Sequence, residues 1–555
     1  MWSEADEFME LFRGYLPYYL LIMLPLFIII APVCPVGAAH DFQVFRMQQF
    51  DLHGVPHGCR SAAVNLEARS AVGWGTSRHC VVARLEDITS DKFREIRSRA
   101  GALLIVLPRN LFGLSQEEKQ QIWELEEAML YQEVSIPVYF VEWASTLQTI
   151  VNDVASSYMK DDRSTTAVEA LVHSIAANGY QIVVSTSQPS PRSDVNIATI
   201  QGKLPGFGVE EKLPTVAVVA HYDSFAVAPD LALGTDSNGS GVAMLMELAR
   251  IFSRLYANPK THARHNLVFL LTGAGKFNYQ GSKKWLEDQL DGVEGSVIQD
   301  ASFILCLDTV ATDNVLYLHV SKPPRDGSPG GNFYKELKSV AESVNLNVTV
   351  DTIHKKINLA DELLAWEHER YSIRRLPAFT LSSLKSHRSM SRNTILDTHE
   401  NVNAPLLFHN TDIVAEALAR HVYNLSDGKV FEESLEVSRE SLDSWLEFLS
   451  QPRSAQILLD KQNVLVNSLK NSMSRYLKDV KVSYLVPDKR DPEIVFYDVT
   501  KTIVNIYSVK PAVFDLFLTG LIGLYLVAIY FVVQNFPLIY VAVSKFSSSK
   551  KSKVQ

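Results

Sequence analysis

Cysteine is scarce in this chain, and acidic residues outnumber basic ones. The 555 residues include four cysteines, and the formal net charge is −9. So few cysteines exclude the disulfide framework of a small secreted domain, and no spacing of cysteine and histidine matches a zinc finger. The acidic balance argues against nucleic-acid binding as a main role. The sequence leaves open whether Cys59 and Cys80 pair in an oxidising compartment.

A long apolar run lies near the N-terminus. Residues 15–31 are almost wholly apolar, and the small residues Gly37, Ala38 and Ala39 follow them. An apolar core before small residues is typical of a secretory signal, so residues 1–39 are predicted to be a cleaved signal peptide. The residues before this core are mainly acidic rather than basic, which leaves an uncleaved signal anchor as the alternative.

A second apolar run lies near the C-terminus. Residues 512–534 are long and apolar enough to cross a bilayer as one helix, and a buried core helix is the alternative. The lysines in the tail, residues 535–555, predict that it lies in the cytosol. Its last residues, Lys551-Ser-Lys553-Val-Gln555, have the form of a dilysine retrieval signal. We therefore expect a single-pass type I protein of the endoplasmic reticulum membrane, with its bulk in the lumen.

The residues between the two apolar runs are predicted to form an α/β protein. Residues 40–164 alternate strands with amphipathic helices, which is typical of a small domain with a mostly parallel sheet. Residues 165–425 contain several strongly apolar strands and are predicted to form a second, larger domain. Residues 426–511 are rich in leucine at helical spacing, which predicts a helical juxtamembrane region, or stalk.

Polar residues follow the ends of several predicted strands of the larger domain. A His-x-Asp sequence follows one strand, a Gly- and Ser-rich loop opens an apolar helix, and Gly-Lys and Asp follow two further strands. The residues concerned are His221, Asp223, Asp236, Ser237, Gly275, Lys276 and Asp308. This arrangement resembles the di-zinc aminopeptidase family, which also includes carboxypeptidases and nicastrin. The resemblance implies an aminopeptidase-like mixed sheet flanked by helices.

The positions that carry catalysis in that family hold unsuitable residues here. The resemblance implies that Ser237 replaces an Asp that bridges two zinc ions. It also implies that Gly275 replaces the general base and Lys276 a metal ligand. A neutral hydroxyl cannot bridge two cations, glycine offers no base, and an ammonium repels a metal ion. We therefore expect an inactive member of the family, with no catalytic residue, no metal ligand and no cofactor.

The surviving polar residues admit two interpretations. They form a vestigial metal site, with His387 as the candidate for its closing histidine, or they are ordinary residues hydrogen-bonded at strand ends. An active metallopeptidase with a rearranged site is a further rival, which bound zinc or peptide cleavage would reveal. We also predict that the Lys276 ammonium is an internal counter-ion for Asp223, Asp236 or Asp308.

A closer resemblance covers nearly the whole chain, including both apolar ends. It rests on five segments, which are His221–Pro229, Gly273–Glu287, His319–Pro324, Ala365–Arg370 and Tyr476–Lys481. These segments resemble the nicalin family. The resemblance implies a non-catalytic scaffold subunit that assembles with nodal modulator and a small multi-pass membrane protein, and that acts with the translocon machinery in the insertion of multi-pass membrane proteins. A lumenal receptor that binds peptides without cutting them is the alternative.

Three Asn-x-Ser/Thr sequences lie in the part predicted to be lumenal, at Asn238, Asn347 and Asn424. Asparagines in such sequences accept N-linked glycans when they are exposed in a secretory compartment. Asn238 matters most, because a glycan in this loop would obstruct a peptidase cleft.

Overall fold

The computed structural model describes residues 40–535, with gaps at residues 73, 163–178, 292–295, 297, 300, 345–347, 362, 489 and 510–511, and also residues 538 and 541. The predicted signal peptide, the predicted boundary between residues 164 and 165, and the dilysine sequence of the tail lie outside the described residues. What is described forms two α/β units and an apolar C-terminal helix.

The first unit is built around a closed barrel. Its strands are β1 (His40–Arg46), β4 (Val64–Ser70), β5 (His79–Arg84), β6 (Ala102–Val106), β8 (Val138–Val141), β9 (Gly179–Val184) and β19 (Lys501–Val509), in the order β1-β19-β9-β4-β5-β6-β8. Strands β4, β5, β6 and β8 are parallel neighbours, but the pairings of β1 with β19 and β8, and of β9 with β19 and β4, are antiparallel. The prediction of a mostly parallel sheet therefore holds for these four strands and is wrong for the barrel as a whole. The helices of this unit are α1 (Ser90–Arg99), α2 (Gln116–Leu130) and α3 (Ser145–Asp162).

Helix α2 shows why the sequence folds locally as predicted. The Ser115 side chain accepts a hydrogen bond from the Glu118 main-chain N–H, and the Glu118 carboxylate accepts one from the Ser115 N–H. This reciprocal capping box satisfies two donors that the first helical turn leaves without partners. The helix buries Ile122, Leu125 and Met129 at helical spacing, so one face packs onto the barrel unit's core.

The larger unit is built on an eight-stranded mixed sheet. Its strands are β10 (Ile197–Leu204), β11 (Thr215–His221), β12 (Asn266–Thr272), β13 (Ala301–Leu307), β14 (Val315–Val320), β15 (Thr349–His354), β16 (Ala378–Ser382) and β17 (Lys478–Leu485), in the order β15-β14-β16-β13-β11-β12-β10-β17. Its helices are α4 (Gly239–Ala257), α5 (Gln280–Asp291), α6 (Pro329–Val344), α7 (His368–Ile373) and α8 (Ala404–Tyr423). The central strand β11 runs parallel to both neighbours, β12 and β13, and is buried throughout because helices cover both faces.

The prediction of a helical region at residues 426–511 is wrong for its second half. Helices α9 (Arg439–Leu449) and α10 (Val464–Tyr476) are present, but β17, β18 (Ile494–Phe496) and β19 follow them. Strand β17 pairs with β10 of the large sheet, and β19 pairs with β1 and β9 of the barrel. Burial of Val504 and Ile506, two residues apart, gives β19 the period of a strand rather than of a helix.

Two further differences concern connections between the units. Strand β9, expected in the larger domain, belongs to the barrel, where it pairs with β4 and β19. A separate small sheet is formed by β18, β2 (Gln49–Leu52), β3 (Val55–Cys59) and β7 (Glu133–Val134). It thus joins β18, from the region after the larger domain, to three strands of the first unit. Long-range pairings of this kind depend on tertiary contacts, which local sequence patterns do not encode.

An aromatic cluster joins the two units. The Phe277 ring, from the larger unit, lies 5.1 Å from Phe50, 5.3 Å from Phe225 and 5.0 Å from Phe496, all in edge-to-face contacts. Edge-to-face pairs at this spacing add to the stabilisation that burial of the rings already gives. The units therefore share one apolar core at this boundary, and the cleft described below opens beside it.

Helix α11 (Ala512–Gln534) matches the predicted span, and the stretch Asp515–Gln534 is long and apolar enough to cross a membrane. None of this stretch is buried, so the alternative of a buried core helix is not supported. Cys59, Cys80 and Cys306 are buried free thiols, so Cys59 and Cys80 are not paired. Cys34 lies outside the described residues.

Candidate functional site

The residues singled out in the sequence meet at one edge of the large sheet. His221 is the last residue of β11, and Asp308 follows the last residue of β13. Because β11, β12 and β13 are parallel, the loops after them converge at their carboxyl ends, where α/β proteins usually bind ligands. The loop after β12 brings Gly275 and Lys276 to the same edge.

Asp308 is paired with Arg392, a residue that the motif analysis did not identify. The Arg392 guanidinium donates to the Asp308 carboxylate and to the Tyr279 hydroxyl, 2.9 Å away, and its Cζ lies 4.8 Å from the centre of the Trp366 ring. Burial alone would raise the pKa of Asp308, but the charges of Arg392, His221 and Lys276 outweigh it and hold that pKa well below its usual range. Asp308 is therefore an ionised carboxylate with a built-in counter-ion.

Lys276 donates to two neutral acceptors. Its Nζ lies 2.6 Å from the Ser237 hydroxyl and 3.1 Å from the Arg392 carbonyl oxygen. Burial, together with the Arg392 charge, lowers the pKa of Lys276 to about 7, while nearby carboxylates act in the opposite direction. No ion pair joins Lys276 to Asp223, Asp236 or Asp308 among the described residues, so the predicted role of direct counter-ion is wrong and belongs to Arg392.

The other carboxylates hold loops in place. Asp223 accepts from the main-chain N–H groups of Gly275 at 2.7 Å and Lys276 at 3.1 Å. Asp397 accepts from those of Asp236 and Ser237, each at 2.8 Å. Burial and the nearby Asp236 raise the pKa of Asp397 to about 6. These contacts agree with the interpretation of the survivors as hydrogen-bonded residues of the fold.

Asp236 is committed in the same way. Its carboxylate accepts from the Ala311 main-chain N–H at 3.1 Å and from the Thr312 hydroxyl. Burial raises its pKa, against the effect of hydrogen bonds from the Ser240 and Thr312 side chains. Asp236 therefore fixes the loop that follows Asp308 rather than facing an open ligand position.

Gly275 allows a close approach of the His221 side chain to the main chain. A Cβ added at Gly275 would lie 2.3 Å from the Cβ of His221 and 2.4 Å from its Cγ, which real structures do not tolerate. The His221 ring in turn places its Nδ1 3.5 Å from Oε2 of the buried Glu367. Glu367 also accepts from the hydroxyls of Thr272, at 2.8 Å, and Ser282. A side chain at position 275 is therefore excluded by the packing of His221.

His387 does not close a metal site. Its half-buried ring lies 6.4 Å from the Trp366 ring and lines the cleft, and burial together with the Lys355 and Arg392 charges lowers its pKa to about 4. Arg392, five residues later, is the side chain from this segment that reaches Asp308. The sequence signal for Arg392 was weak because several basic residues lie between 385 and 392, and composition does not tell which one points inward.

The residues present do not fit a pair of zinc ions. Among the described residues, no group of three or more His, Cys, Asp or Glu side chains is arranged to hold a metal. The carboxylates are used by Arg392 and by main-chain N–H groups, and two cationic side chains lie in the cleft. A divalent ion would have to displace these contacts and approach like charges.

The structure also bears on the predicted glycans. Asn238 is fully buried, and its amide nitrogen donates to the carbonyl oxygens of His221, at 3.1 Å, and Leu307, at 2.8 Å. This contradicts the prediction of a glycan at Asn238, since the nitrogen that would carry the glycan is buried and hydrogen-bonded to two carbonyl oxygens. Asn424 is exposed at the left-handed end of α8, and Asn347 lies outside the described residues.

Comparison with known proteins agrees with this picture. Residues 197–418 match the model of Peptidase family M28. The chain is 46% identical to the proteins called BOS complex subunit NCLN from Mus musculus and Homo sapiens, with 100% of this chain and 100% of each relative covered. It is 28% identical to nicalin from Caenorhabditis elegans, over 96% of this chain and 97% of that protein. The crystal structure of the gamma-secretase component nicastrin has a TM-score of 0.58 at 11% identity, over 84% of this chain and 99% of that chain, a likeness of fold alone.

Proposed function

The chain belongs to the nicalin family, whose members include the relatives named BOS complex subunit NCLN. From this premise we propose that it is a non-catalytic peptidase-fold subunit of a membrane complex. The observation that carries the proposal is the pair of Arg392 and Asp308. A carboxylate matching a family metal-ligand position is neutralised by a side chain of the same protein. The buried negative charge of Asp308 is thereby balanced without a metal ion.

Two further features support the absence of hydrolysis. Lys276 donates from its Nζ to the Ser237 hydroxyl and to the Arg392 carbonyl oxygen, so these contacts occupy the positions where the family has its bridging carboxylate and a metal ligand. The close approach of His221 to Gly275 leaves no room for a carboxylate at that position. Among the described residues of the sheet edge, these contacts support the absence of chemistry that needs a bridged pair of metal ions and a general base.

The proposed location is the membrane of the endoplasmic reticulum. The apolar helix α11 supports a single membrane span, and the lysines after it support a cytosolic tail with the bulk of the chain in the lumen. The form of the last five residues supports retrieval to this compartment.

The proposed partners follow from the family. The name BOS complex subunit says that the relatives belong to a complex. By resemblance, this chain would assemble with nodal modulator and a small multi-pass membrane protein, next to the translocon machinery that inserts multi-pass membrane proteins. Its folded lumenal units would then serve as a docking scaffold on one membrane anchor.

Isolation of the complex tests this proposal. The full chain, carrying a tag that leaves its last five residues free, is captured from membranes in mild detergent, and the retained proteins are identified and quantified by mass spectrometry. We expect stoichiometric membrane-protein partners, and no zinc-dependent cleavage of aminoacyl or peptide substrates by the purified complex. A variant with residues 512–534 replaced by an unrelated apolar span separates contacts of the lumenal units from contacts of the helix. Recovery of the chain alone, or zinc-dependent cleavage that Asp308→Asn abolishes, would overturn the proposal.

A further inference from the structure

The apolar helix α11 leaves the barrel at one of its two ends. Strands β4, β5, β6 and β8 are parallel and finish at that end. Strand β19 runs in the same direction, because it and β8 are both antiparallel to β1. At the opposite end the barrel packs on the larger unit, where the Gln48 N–H donates to the Val227 carbonyl oxygen at 2.7 Å. We call the end at which these five strands finish the α11 end.

The connection from the barrel to α11 is short. Strand β19 ends at Val509 and α11 begins at Ala512, so their Cα atoms are separated by three peptide steps, at most about 11 Å. A membrane span by α11, as proposed above, therefore holds the α11 end of the barrel at the surface of the bilayer.

Loops at the α11 end expose bulky apolar side chains. Val72, Phe112 and Trp143 follow β4, β6 and β8, and they are 71%, 55% and 37% exposed. Trp74 and Leu111, from the first two of these loops, pack against the core instead. The loops are thus anchored on the barrel while their apolar tips remain uncovered by the described part of the chain.

Trp143 also contacts the loop after β6. The Arg109 guanidinium lies 5.2 Å from the centre of the Trp143 ring, which brings the two loops together. Tryptophan is enriched where lipid meets water, and arginine there keeps its apolar stem against lipid and its charged head among the headgroups. This pair suits the surface of a bilayer.

Helix α3 closes the α11 end with a face of low charge. Arg84, the last residue of β5, donates to the Asn152 side chain at 2.8 Å, and the Tyr180 hydroxyl, near the start of β9, donates to Asp153 at 3.0 Å. The inner face of α3 joins the core of the barrel. Over residues 145–156, where the side chains of α3 are described, the exposed groups are hydroxyls and amides, with Asp153 as the one charge. Such neutral groups cost less to remove from water than charges do.

The charges around this end favour a lipid without net charge. Glu86, Asp87 and Glu142 are exposed after β5 and β8. Arg84 and Arg109 oppose them, so the surface has an acidic surplus that repels anionic headgroups. Contact with lipid would therefore depend on the apolar tips rather than on charge attraction.

We propose that the α11 end of the barrel docks on the bilayer that α11 spans, with zwitterionic lipid as its partner. Phe112 and Trp143 insert among the headgroups, and the exposed face of α3 lies against them. The inference rests on the proposed membrane span and adds that the barrel lies on the leaflet where α11 begins, rather than standing away from it in solution.

Spin labels test this proposal on the full chain in phosphatidylcholine nanodiscs. A nitroxide is attached in turn to Val72→Cys and Thr146→Cys at the α11 end, and to Val55→Cys at the other end of the barrel, which is 41% exposed. The native thiols Cys59, Cys80 and Cys306 are buried, and the unsubstituted chain gives the background. Collision rates are measured with oxygen, which concentrates in lipid, and with a nickel chelate that stays in water. The ratio of oxygen to nickel collisions should be at least about threefold higher at 72 and 146 than at 55.

A label on Leu524→Cys, in the middle of α11, separates this proposal from the proposed span. A water-like ratio at 524 would overturn the span, and the docking with it. A lipid-like ratio at 524, with ratios at 72 and 146 equal to that at 55, would overturn the docking alone. Labels at 72 and 146 that are open to water in the isolated chain, but shielded in the complex captured from membranes, would assign this surface to a protein partner and also overturn the docking.

A substitution at the apolar tips, with a matched control, locates the contact. Phe112→Ser together with Trp143→Ser should lower the ratio at the Val72→Cys label about twofold. Phe207→Ser, at a 61% exposed phenylalanine of the larger unit, should leave it unchanged. Unchanged thermal midpoints show that the variants are folded, and if the double variant is not, the labels at 72 and 146 decide. Equal effects of the two substitutions, or a higher ratio when a third of the lipid is phosphatidylserine, would overturn docking on neutral lipid through these tips.

Discussion

Arg392 and Asp308 are 84 residues apart in the chain, yet their side chains form a buried ion pair at the carboxyl edge of the central sheet. Asp308 is 0% and Arg392 9% exposed, so neither charge is solvated well enough to stand alone. The guanidinium also contacts the Tyr279 hydroxyl and the Trp366 ring. One arginine thus holds together the sheet edge, the loop after β12 and the segment before α7.

Removal of this arginine should destabilise the larger unit strongly. Arg392→Met leaves the Asp308 charge buried and unpaired, a change that typically costs about 3–5 kcal/mol. Thermal unfolding of the full chain in one detergent should show a midpoint lower by several degrees. The double variant Asp308→Asn, Arg392→Met should recover part of the loss, because it removes the orphaned charge. Arg374→Met, at an exposed pair with Asp291, is the control and should change little. An equal loss in the double and single variants would contradict the ion-pair explanation.

Lys276 should affect the pH dependence of stability more than stability at neutral pH. Its pKa is about 7 in the folded protein and near its ordinary value of 10.5 when unfolded, so the unfolded chain binds more protons between these values. Stability contributed by this group therefore rises with pH from about 7 to about 10.5. Lys276→Met should remove that rise, and at pH 7 it should change stability by only about 1 kcal/mol, the scale of the hydrogen bonds lost. Midpoints measured across this pH range, with exposed Lys335→Met as the control, decide the matter; parallel curves for wild type and Lys276→Met would contradict it.

Restoration of the missing family residues should not restore a zinc site. In the triple variant Ser237→Asp, Gly275→Glu, Lys276→Glu, the new side chain at 275 meets His221 at 2.3 Å and Arg392 still holds Asp308. We expect loss of thermal stability and no stoichiometric zinc by elemental analysis. Gly275→Ala alone should destabilise, whereas Gly75→Ala, where an added Cβ has no neighbour within 4 Å, should not. Tightly bound zinc in the triple variant would show that the cleft is more adaptable than its packing indicates.

Glycan occupancy should follow burial. Asn238 is fully buried and hydrogen-bonded, whereas Asn424 is exposed. Mass spectrometry of glycopeptides from the membrane-derived protein should find Asn424 modified and Asn238 bare. Asn424→Gln should remove one glycan without a change in thermal midpoint beyond that of enzymatic deglycosylation. A glycopeptide containing Asn238 from folded protein would contradict the structure at that loop.

Protease treatment of sealed microsomes should trim only the tail. The lysines after helix α11 predict that residues 535–555 face the cytosol and that the bulk of the chain is protected. Detergent-opened vesicles are the control, and digestion of the bulk in closed vesicles would reverse the topology.

Replacement of Lys551 and Lys553 by Ser should release part of the protein from the endoplasmic reticulum, as seen by acquisition of complex glycans, if the tail is read as a retrieval signal.

Local patterns in the sequence predicted much of this molecule. The apolar strand before His221, the capped helix after Ser115 and the exposed apolar helix α11 each show a period or length that depends on neighbouring residues only. The family pattern also identified the positions that meet at the sheet edge. The predictions of Lys276 as counter-ion and of His387 as closing histidine were wrong because both depend on where Arg392 lies. Arg392 reaches Asp308 across 84 residues of sequence, which local patterns do not encode. The strands after α10 were missed for the same reason, since their partners are β10, β1 and β9.

Strand β19 has a consequence for the order in which the molecule matures. It supplies the neighbour between β1 and β9 in the barrel, and it ends at Val509, just before helix α11 begins at Ala512. During synthesis the barrel that starts at His40 therefore cannot close until the chain has been made as far as Lys501–Val509. Contacts of such large sequence separation are slow to form and leave strand edges open in the meantime. The first unit to be synthesised is thus among the last to be completed, and a fragment of the chain that ends before Lys501 should not form the folded barrel.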